Sequence, residues 1–202
     1  MSVFAHRMIF IRHGETKYNA EGRLQGQRDI PLSVKGREQA AAVGRYLGAH
    51  MRAEIAALEA HEAFYASPLH RTRETIEIAR AAMGLPSPRY NLVPRLKELT
   101  FGQWEGLTWG EVEAKYPGAA KVRETDKWNF VPPGGESYHM LVERVRPWVL
   151  GLSGDCFVAS HGGVARALMM LLAGVDPKFA ESANIWQGRA LVFANGRFDW
   201  VG

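Results

Sequence analysis

Cysteine is almost missing from this chain: Cys156 is the single cysteine in 202 residues, which excludes an intramolecular disulfide framework and any cysteine-rich metal site. A reducing compartment fits that usage, and the cytoplasm is the expected location. Long apolar runs are missing too. No stretch approaches the ~20 residues that a membrane span needs, and "MSVFAHRMIFIRHG" (1–14) carries basic residues inside its apolar stretch, unlike a signal peptide. A soluble, unprocessed protein with no membrane partner is expected. Charge of one sign is not concentrated either. The 25 Lys and Arg are scattered among 21 Asp and Glu without a basic run, so the net charge of +4 reads as mild attraction for small anions and not as a nucleic-acid footprint. Internal repeats and low-complexity segments are absent.

What remains is a chain with 47% hydrophobic residues, enough for one globular domain with a sizeable core, so residues 1–202 are read as a single domain. "RMIFI" (7–11), "AFYAS" (63–67) and "CFVAS" (156–160) are short apolar runs of buried-strand length, each followed by a polar turn and a helical pattern. That alternation predicts an α/β fold with a mostly parallel sheet. The spacing predicts a helix over 32–51 entered at Ser33, and another over 67–84 capped by Ser67, with Pro68 in its first turn and Gly84 at its end. Asn195-Gly196 between two apolar runs signals a hairpin, hence an antiparallel edge. From about 98 to 140 the texture changes to Trp, Gly and Pro in "FGQWEG", "KYPG" and "VPPGGES", the mark of a lid-like excursion over the sheet.

In open α/β sheets ligands bind beyond the carboxyl ends of the strands. Arg12 and His13 follow the first apolar run, His161 follows the third, and "SPLHRTRET" sends Arg71 into the first turn of a helix after the second. Gly162-Gly163 opens the helix "VARALMMLLAG", whose free N–H groups and dipole favour an anion. Each motif alone is weak; their shared topological position predicts an anion site. Arginine's planar fork suits phosphate, and a histidine serves as charged donor or neutral nucleophile according to its surroundings. His6, His50, His61, His70 and His139 are scattered without ligand spacing, so no metal is expected. His70 reads as a helix-surface residue, and Trp104, Trp109, Trp128 and Trp148 as packing residues, of which those in the excursion are candidates to touch a ligand.

"RHGET" with Asn19, then "LQGQRDIPLSVKG", "SPLHRTRET", "LKELTFGQWEG", "PPGGES" and "SHGG" appear in order along the chain, and in this the sequence resembles the phosphoglycerate-mutase-like branch of the histidine phosphatase superfamily. The resemblance implies a three-layer α/β/α sandwich and phosphoryl transfer through a covalent phosphohistidine, with no metal and no cofactor. It implies His13 as nucleophile, Arg12, Arg71 and a protonated His161 as ligands of the phosphoryl group, Glu98 as proton donor to the leaving alcohol, and Asn19, Gln25, Gly26 and Gly162 in substrate binding. Glu105 in "QWEG" is a competitor for the acid role that spacing alone does not exclude. Mutases of this branch carry an "ERHYG"-type segment after the acid; "ELTFGQWEG" with a shorter excursion resembles the small phosphatases instead. A phosphomonoesterase acting on a small phosphorylated metabolite is the expectation, with a mutase-type transferase or a non-catalytic phospholigand-binding protein as alternatives. Self-association as a homodimer is left open.

Overall fold

A computed structural model describes residues 6–86 and 89–202, so the first five residues of the amino-terminal stretch read above lie outside the described chain. In chain order the elements are β1 (Met8–Arg12), α1 (Lys17–Ala20), α2 (Val34–His50), α3 (Arg52–Ala60), β2 (Phe64–Ala66), α4 (His70–Ala82), β3 (Asn91–Leu92), α5 (Trp109–Lys115), α6 (Ala119–Thr125), α7 (Tyr138–Leu150), β4 (Cys156–Ser160), α8 (Gly162–Ala173), α9 (Pro177–Ser182), β5 (Ala190–Ala194) and β6 (Arg197–Val201). They form one six-stranded sheet in the order β3-β2-β4-β1-β5-β6. The first four strands are mutually parallel, whereas β5 and β6 run antiparallel. The antiparallel edge follows from Asn195-Gly196: both residues adopt positive φ, 52° and 70°, the conformation a tight two-residue hairpin demands.

Strand side chains alternate between two cores, as a period of two requires of a sheet covered on both faces. Ile9, Ile11, Phe64, Phe157 and Ala159 pack with Val43, Leu47, Ile55, Leu58 and Ile76 from α2, α3 and α4. Met8, Phe10, Val158 and Leu191 pack with Leu141, Val145, Leu168 and Leu172 from α7 and α8. This is the expected three-layer α/β/α arrangement. Among the described residues no helix is long and apolar enough to cross a membrane.

α2 starts where the sequence predicts, with the Ser33 hydroxyl accepting from the Gly36 N–H. α4 does not. It begins at His70 with Leu69 at its N-cap position and no side-chain cap. Ser67 sits three residues earlier, where its backbone N–H still donates to Ala159 O at 3.1 Å and extends the sheet ladder. Its hydroxyl bonds the imidazole of His161 at 2.8 Å and accepts only a long 3.4 Å bond from Leu69 N–H, so it caps no N–H inside the helix. The excursion after residue 98 is more built than a loop. It contains a 3₁₀ turn (Gly102–Trp104), α5 and α6, and packs around a small core of Leu24, Trp104 and Val112 flanked by Phe101, Tyr116 and Phe130.

The turn after β1 is pressed against the first turn of α2. A Cβ at Gly14 would overlap the Gly36 carbonyl oxygen, and one at Gly36 would overlap that of Glu15. Backbone meets backbone there, so relief requires moving α2 or the turn. Gly14→Ala is therefore expected to cost about 1–3 kcal/mol of stability by overpacking, lowering Tm by roughly 2–4 °C for each kcal/mol in a chain of this size. A melting curve superimposable on the parent's would show that the contact yields.

Candidate active site

The sheet register brings the three sequence motifs to one edge. Arg12 pairs with Ser160 and Ala66 with Ala159, and the ladder continues past the strands through His13 N–H to Ser160 O at 2.9 Å. His13, Ser67 and His161 thus leave three adjacent strands at the same level. The rings of His13 and His161 meet edge to face, centroids 5.2 Å apart.

The guanidinium groups are held by main-chain oxygens and not by acids. Arg71, fully buried, donates Nη1 to Arg28 O and Nη2 to Gly26 O, both at 2.7 Å. Gly26 itself has φ +51°, and a Cβ there would overlap the Glu105 carboxylate. Gly26 and Arg28 therefore bracket Arg71. Arg12 donates Nη1 to Ile185 O at 2.9 Å. Neither arginine takes part in any ion pair formed among the described residues. Burial lowers the pKa of both, that of Arg71 to about 10, so both remain cations at neutral pH.

Each of these groups keeps one polar atom sealed and unpartnered. Eight side-chain nitrogens among the described residues are buried without a hydrogen-bond partner, and four of them belong here: Arg12 Nε, Arg71 Nε, Arg166 Nε and His161 Nδ1. A buried unsatisfied donor costs about 1–3 kcal/mol. Such a concentration marks a place where an anionic ligand completes the hydrogen bonding.

The two histidines are electrostatically alike and differ in tethering. Burial first, then the charges of Arg71 and Arg12, hold His13 well below the ordinary imidazole range. His13 Nδ1 lies 2.7 Å from Gly14 O. A carbonyl only accepts, so Nδ1 carries the hydrogen and Nε2 keeps a lone pair. His161 is held down by burial, then by Arg71, His13, Arg12 and Arg144. Before an anion arrives, low dielectric and neighbouring cations favour the neutral ring; the protonated His161 that the resemblance implies belongs to the phosphoryl-bound site. Its Nε2 is 2.8 Å from Ser67 Oγ.

The N-terminus of α8 is not free either. Gly163 N–H donates to Glu98 Oε2 at 3.0 Å, and Leu99 N–H to Glu98 Oε1 at 3.0 Å. A Cβ at Gly163 would overlap the Glu98 carboxylate and push it out of this position. Glu98 thereby faces the pocket, attractively coupled to Arg12 and Arg71. Glu105 is spent elsewhere: its Oε1 accepts from Gln27 N–H, Thr100 Oγ1 and Phe101 N–H at 2.9, 2.7 and 3.2 Å, tying the excursion to the loop after α1.

Asn19 closes the α1 capping box with Thr16, and its Oδ1 also accepts from Gln187 Nε2 at 3.1 Å. Those bonds use the amide oxygen and leave its NH₂ for a ligand. Gln25 is buried, its Oε1 accepting from Thr16 Oγ1 at 2.8 Å. Gly162 lies where the Arg12 and Arg166 side chains converge. His70 is on the outer surface of α4 with Nε2 3.7 Å from Glu74. Two of the aromatics considered for substrate contact prove to be core: Trp104 stacks on Phe130, and Trp128 on Tyr138. Trp109 is half-exposed, under the Arg123 guanidinium.

Sequence reasoning missed Ser67 as a partner of His161, Gln187 as a partner of Asn19, and Arg166 and Tyr138 beside Arg12. Arg166 stands in the helix opened by "SHGG", and Tyr138 directly follows "PPGGES"; proximity to a motif was the available signal. A separate cavity of about 820 Å³, lined by Arg7, Glu54, Leu58, His61 and Asp155 among others, contains none of the cations described above. Its arginine is paired with Glu54.

Comparison with known proteins agrees with this geometry. The model of the histidine phosphatase superfamily (branch 1) matches residues 8–194. A glucosyl-3-phosphoglycerate phosphatase of Mycolicibacterium vanbaalenii is 34% identical over 181 residues, covering 84% of this chain and 75% of that protein. A metal-independent phosphoserine phosphatase of Arabidopsis thaliana is 34% identical over 170 residues, covering 81% and 67%. Among solved structures, a mycobacterial glucosyl-3-phosphoglycerate phosphatase with VO3 superposes with a TM-score of 0.77 at 27% identity, covering 98% of this chain and 96% of that one.

The neutral histidines make stability pH-dependent. Unfolded, each has a pKa near ~6.5; folded, each lies well below it. Below pH ~6.5 the unfolded chain binds more protons, so stability falls with pH, by up to about 1.4 kcal/mol per pH unit for each ring until the folded pKa is reached. Denaturant unfolding between pH 7.5 and 5.5 should show this slope, and His161→Asn should reduce it. An unchanged slope in that variant would mean that His161 is not the group responsible.

Proposed function

The chain belongs to branch 1 of the histidine phosphatase superfamily, and from that premise we propose that it hydrolyses small-molecule phosphomonoesters through a covalent phosphohistidine on His13, without a metal in the reaction. The observation that carries this reading is the set of unpartnered, buried donors on Arg12, Arg71 and His161 around a neutral His13. Two guanidinium groups match the charge of one phosphoryl dianion, which is the electrostatic service that a metal provides elsewhere.

In the first step the His13 Nε2 lone pair forms the N–P bond while the ester P–O bond breaks. The leaving oxygen takes its electron pair and receives a proton from Glu98. An alkoxide leaves poorly without that proton. Arg12, Arg71 and the N–H of His161 stabilise the equatorial oxygens, and Asn19 adds its amide donor. In the second step water attacks phosphorus and gives its proton to the Glu98 carboxylate. The N–P bond breaks, the pair returns to Nε2, and inorganic phosphate departs. Glu98 is preferred to Glu105 because three hydrogen bonds already occupy one Glu105 oxygen in organising the excursion.

Hydrolysis rather than mutase-type return of the phosphoryl group is favoured by the "ELTFGQWEG" segment and by the two phosphatases among the relatives named above. The substrate is a small phosphorylated metabolite, and the buried Cys156 thiol, its pKa pushed up to about 12, suits a cytoplasmic protein.

During turnover the acid-quenched, denatured protein should carry a base-stable, acid-labile phosphoryl group that is absent in His13→Ala, with rates unaffected by chelators. Hydrolysis by His13→Ala at the parent rate would remove the covalent mechanism. Glu98→Gln keeps volume and removes the titrating proton. It is expected to slow single-turnover phosphorylation by an alkyl phosphate on the order of 10²-fold, and by p-nitrophenyl phosphate much less. Equal losses on both esters would assign Glu98 a structural role.

A further inference from the structure

The second histidine of the pocket is tied to a hydroxyl whose own choice of partners is narrow. Ser67 follows β2, and Pro68 after it restricts Ser67 to extended backbone and offers no N–H. The Ser67 main chain is already committed. Its N–H donates to Ala159 O at 3.1 Å, and its carbonyl accepts from Thr72 Oγ1 at 2.8 Å. Ser67 and His161 are both fully buried. Two groups reach Ser67 Oγ: His161 Nε2 at 2.8 Å and the Leu69 N–H at 3.4 Å. An N–H only donates, so Nε2 is the single acceptor open to the Ser67 hydroxyl hydrogen among the described residues.

This fixes where the hydrogen of a neutral His161 ring resides. With the hydrogen on Nε2, the ring would donate to Oγ, the serine hydrogen would be sealed without an acceptor, and Nδ1 would meet an anion with a lone pair. A buried unsatisfied polar group costs about 1–3 kcal/mol. With the hydrogen on Nδ1, Ser67 O–H donates to Nε2, Leu69 N–H donates to Oγ, and the one group left over is His161 Nδ1–H. That nitrogen is sealed without a partner, as are Arg12 Nε and Arg71 Nε. His13 carries the same tautomer for the opposite use. Its Nδ1–H is the tether, to Gly14 O, and its Nε2 is the working atom. In His161 Nε2 is the tether and Nδ1–H the working group.

We propose that Ser67 is a positioning residue: its hydroxyl donates to His161 Nε2, holds the neutral ring in the Nδ1–H form, and so presents a ready donor to a phosphoryl oxygen. Serine suits this place better than a carbonyl or carboxylate, which only accept and would draw the hydrogen to Nε2. A hydroxyl also serves the charged ring, because it turns and accepts from Nε2–H once a bound dianion favours the imidazolium. The inference rests on the phosphatase reading for the use made of the donor, and adds to it the group that prepares His161.

The tautomer is readable without turnover, by NMR of ligand-free protein carrying nitrogen-15 histidine at a pH near 7.5. The His161 signals, assigned by their loss in His161→Asn, should show a protonated Nδ1 and an unprotonated Nε2. The reverse pattern in the parent overturns the inference. Ser67→Ala removes the donor, so an Nε2–H form of His161 should appear. Vanadate affinity and kcat on p-nitrophenyl phosphate should each fall on the order of 10-fold with KM nearly unchanged, as loss of one hydrogen bond felt mainly in the transition state requires. Ser67→Thr keeps the hydroxyl and should keep the parent tautomer and recover most of that loss. Ser67→Ala with the parent's tautomer overturns the proposal, whether vanadate affinity is kept, which leaves Ser67 idle, or lost, which makes its role packing alone. A parent that has the Nδ1–H form and binds vanadate yet hydrolyses no ester, p-nitrophenyl phosphate included, overturns the phosphatase reading and supports Ser67 as the positioning group of an anion site.

Discussion

Burying cations without acids to neutralise them is the constraint on which the rest of this structure depends. Arg71 is fully enclosed, Arg12 and Arg166 are partly buried with their Nε sealed, and none has an ion-pair partner among the described residues. Moving an ion out of water costs several kcal/mol even after relaxation. The protein offsets part of that by anchoring each guanidinium on main-chain carbonyls: Gly26 and Arg28 for Arg71, Ile185 for Arg12, Ala183 for Arg166. Carbonyl dipoles orient the forks without cancelling their charge. The uncancelled charge is what an oxyanion meets.

The same field sets the chemistry of the histidines. Near Arg71 and Arg12 an additional positive charge is unfavourable, so both rings are neutral before an anion binds. Hydrogen bonds then divide their roles. A carbonyl behind His13 forces its hydrogen onto Nδ1 and leaves the lone pair on Nε2. A hydroxyl behind His161, which both donates and accepts, leaves that ring free to become a donor when a phosphoryl dianion reverses the local field. In the proposed mechanism, activation of the nucleophile and stabilisation of the transition state therefore draw on one arrangement of charge.

The excursion supplies what the sheet edge lacks. Strand ends present cations, whereas the carboxylate facing them comes from Glu98, pinned to the α8 N-terminus by Gly163 N–H. Its position depends on Glu105 and Thr100, which fasten the base of the excursion to the 25–28 loop, the same loop that brackets Arg71. Acid and phosphoryl ligand are thus set by neighbouring parts of one hydrogen-bonded framework. Trp104 and Trp128 stabilise that framework from within and leave recognition to polar groups at its rim.

Much of this was legible in the amino-acid order. Apolar runs of strand length, the Ser33 cap and the Asn195-Gly196 turn are local signals, and local sterics and hydrogen bonding produced β1, β2, β4, α2 and the hairpin where they point. Arg12, His13, Arg71 and His161 were found because each follows a strand, and parallel strands bring such positions to a common edge. The start of α4 was misplaced because Ser67 makes its decisive hydrogen bond to a residue 94 positions away, which outcompetes a local cap. The protonation of His161, the choice between Glu98 and Glu105, the burial of Trp104 and Trp128, and the presence of Arg166 and Tyr138 beside Arg12 were likewise beyond local reading. Each is set by charges and packing surfaces that are remote in the chain and adjacent only after folding. Chain order places particular chemical groups at the strand ends; only folding sets their charge state and which carboxylate faces them, because desolvation and electrostatic fields depend on distance in space.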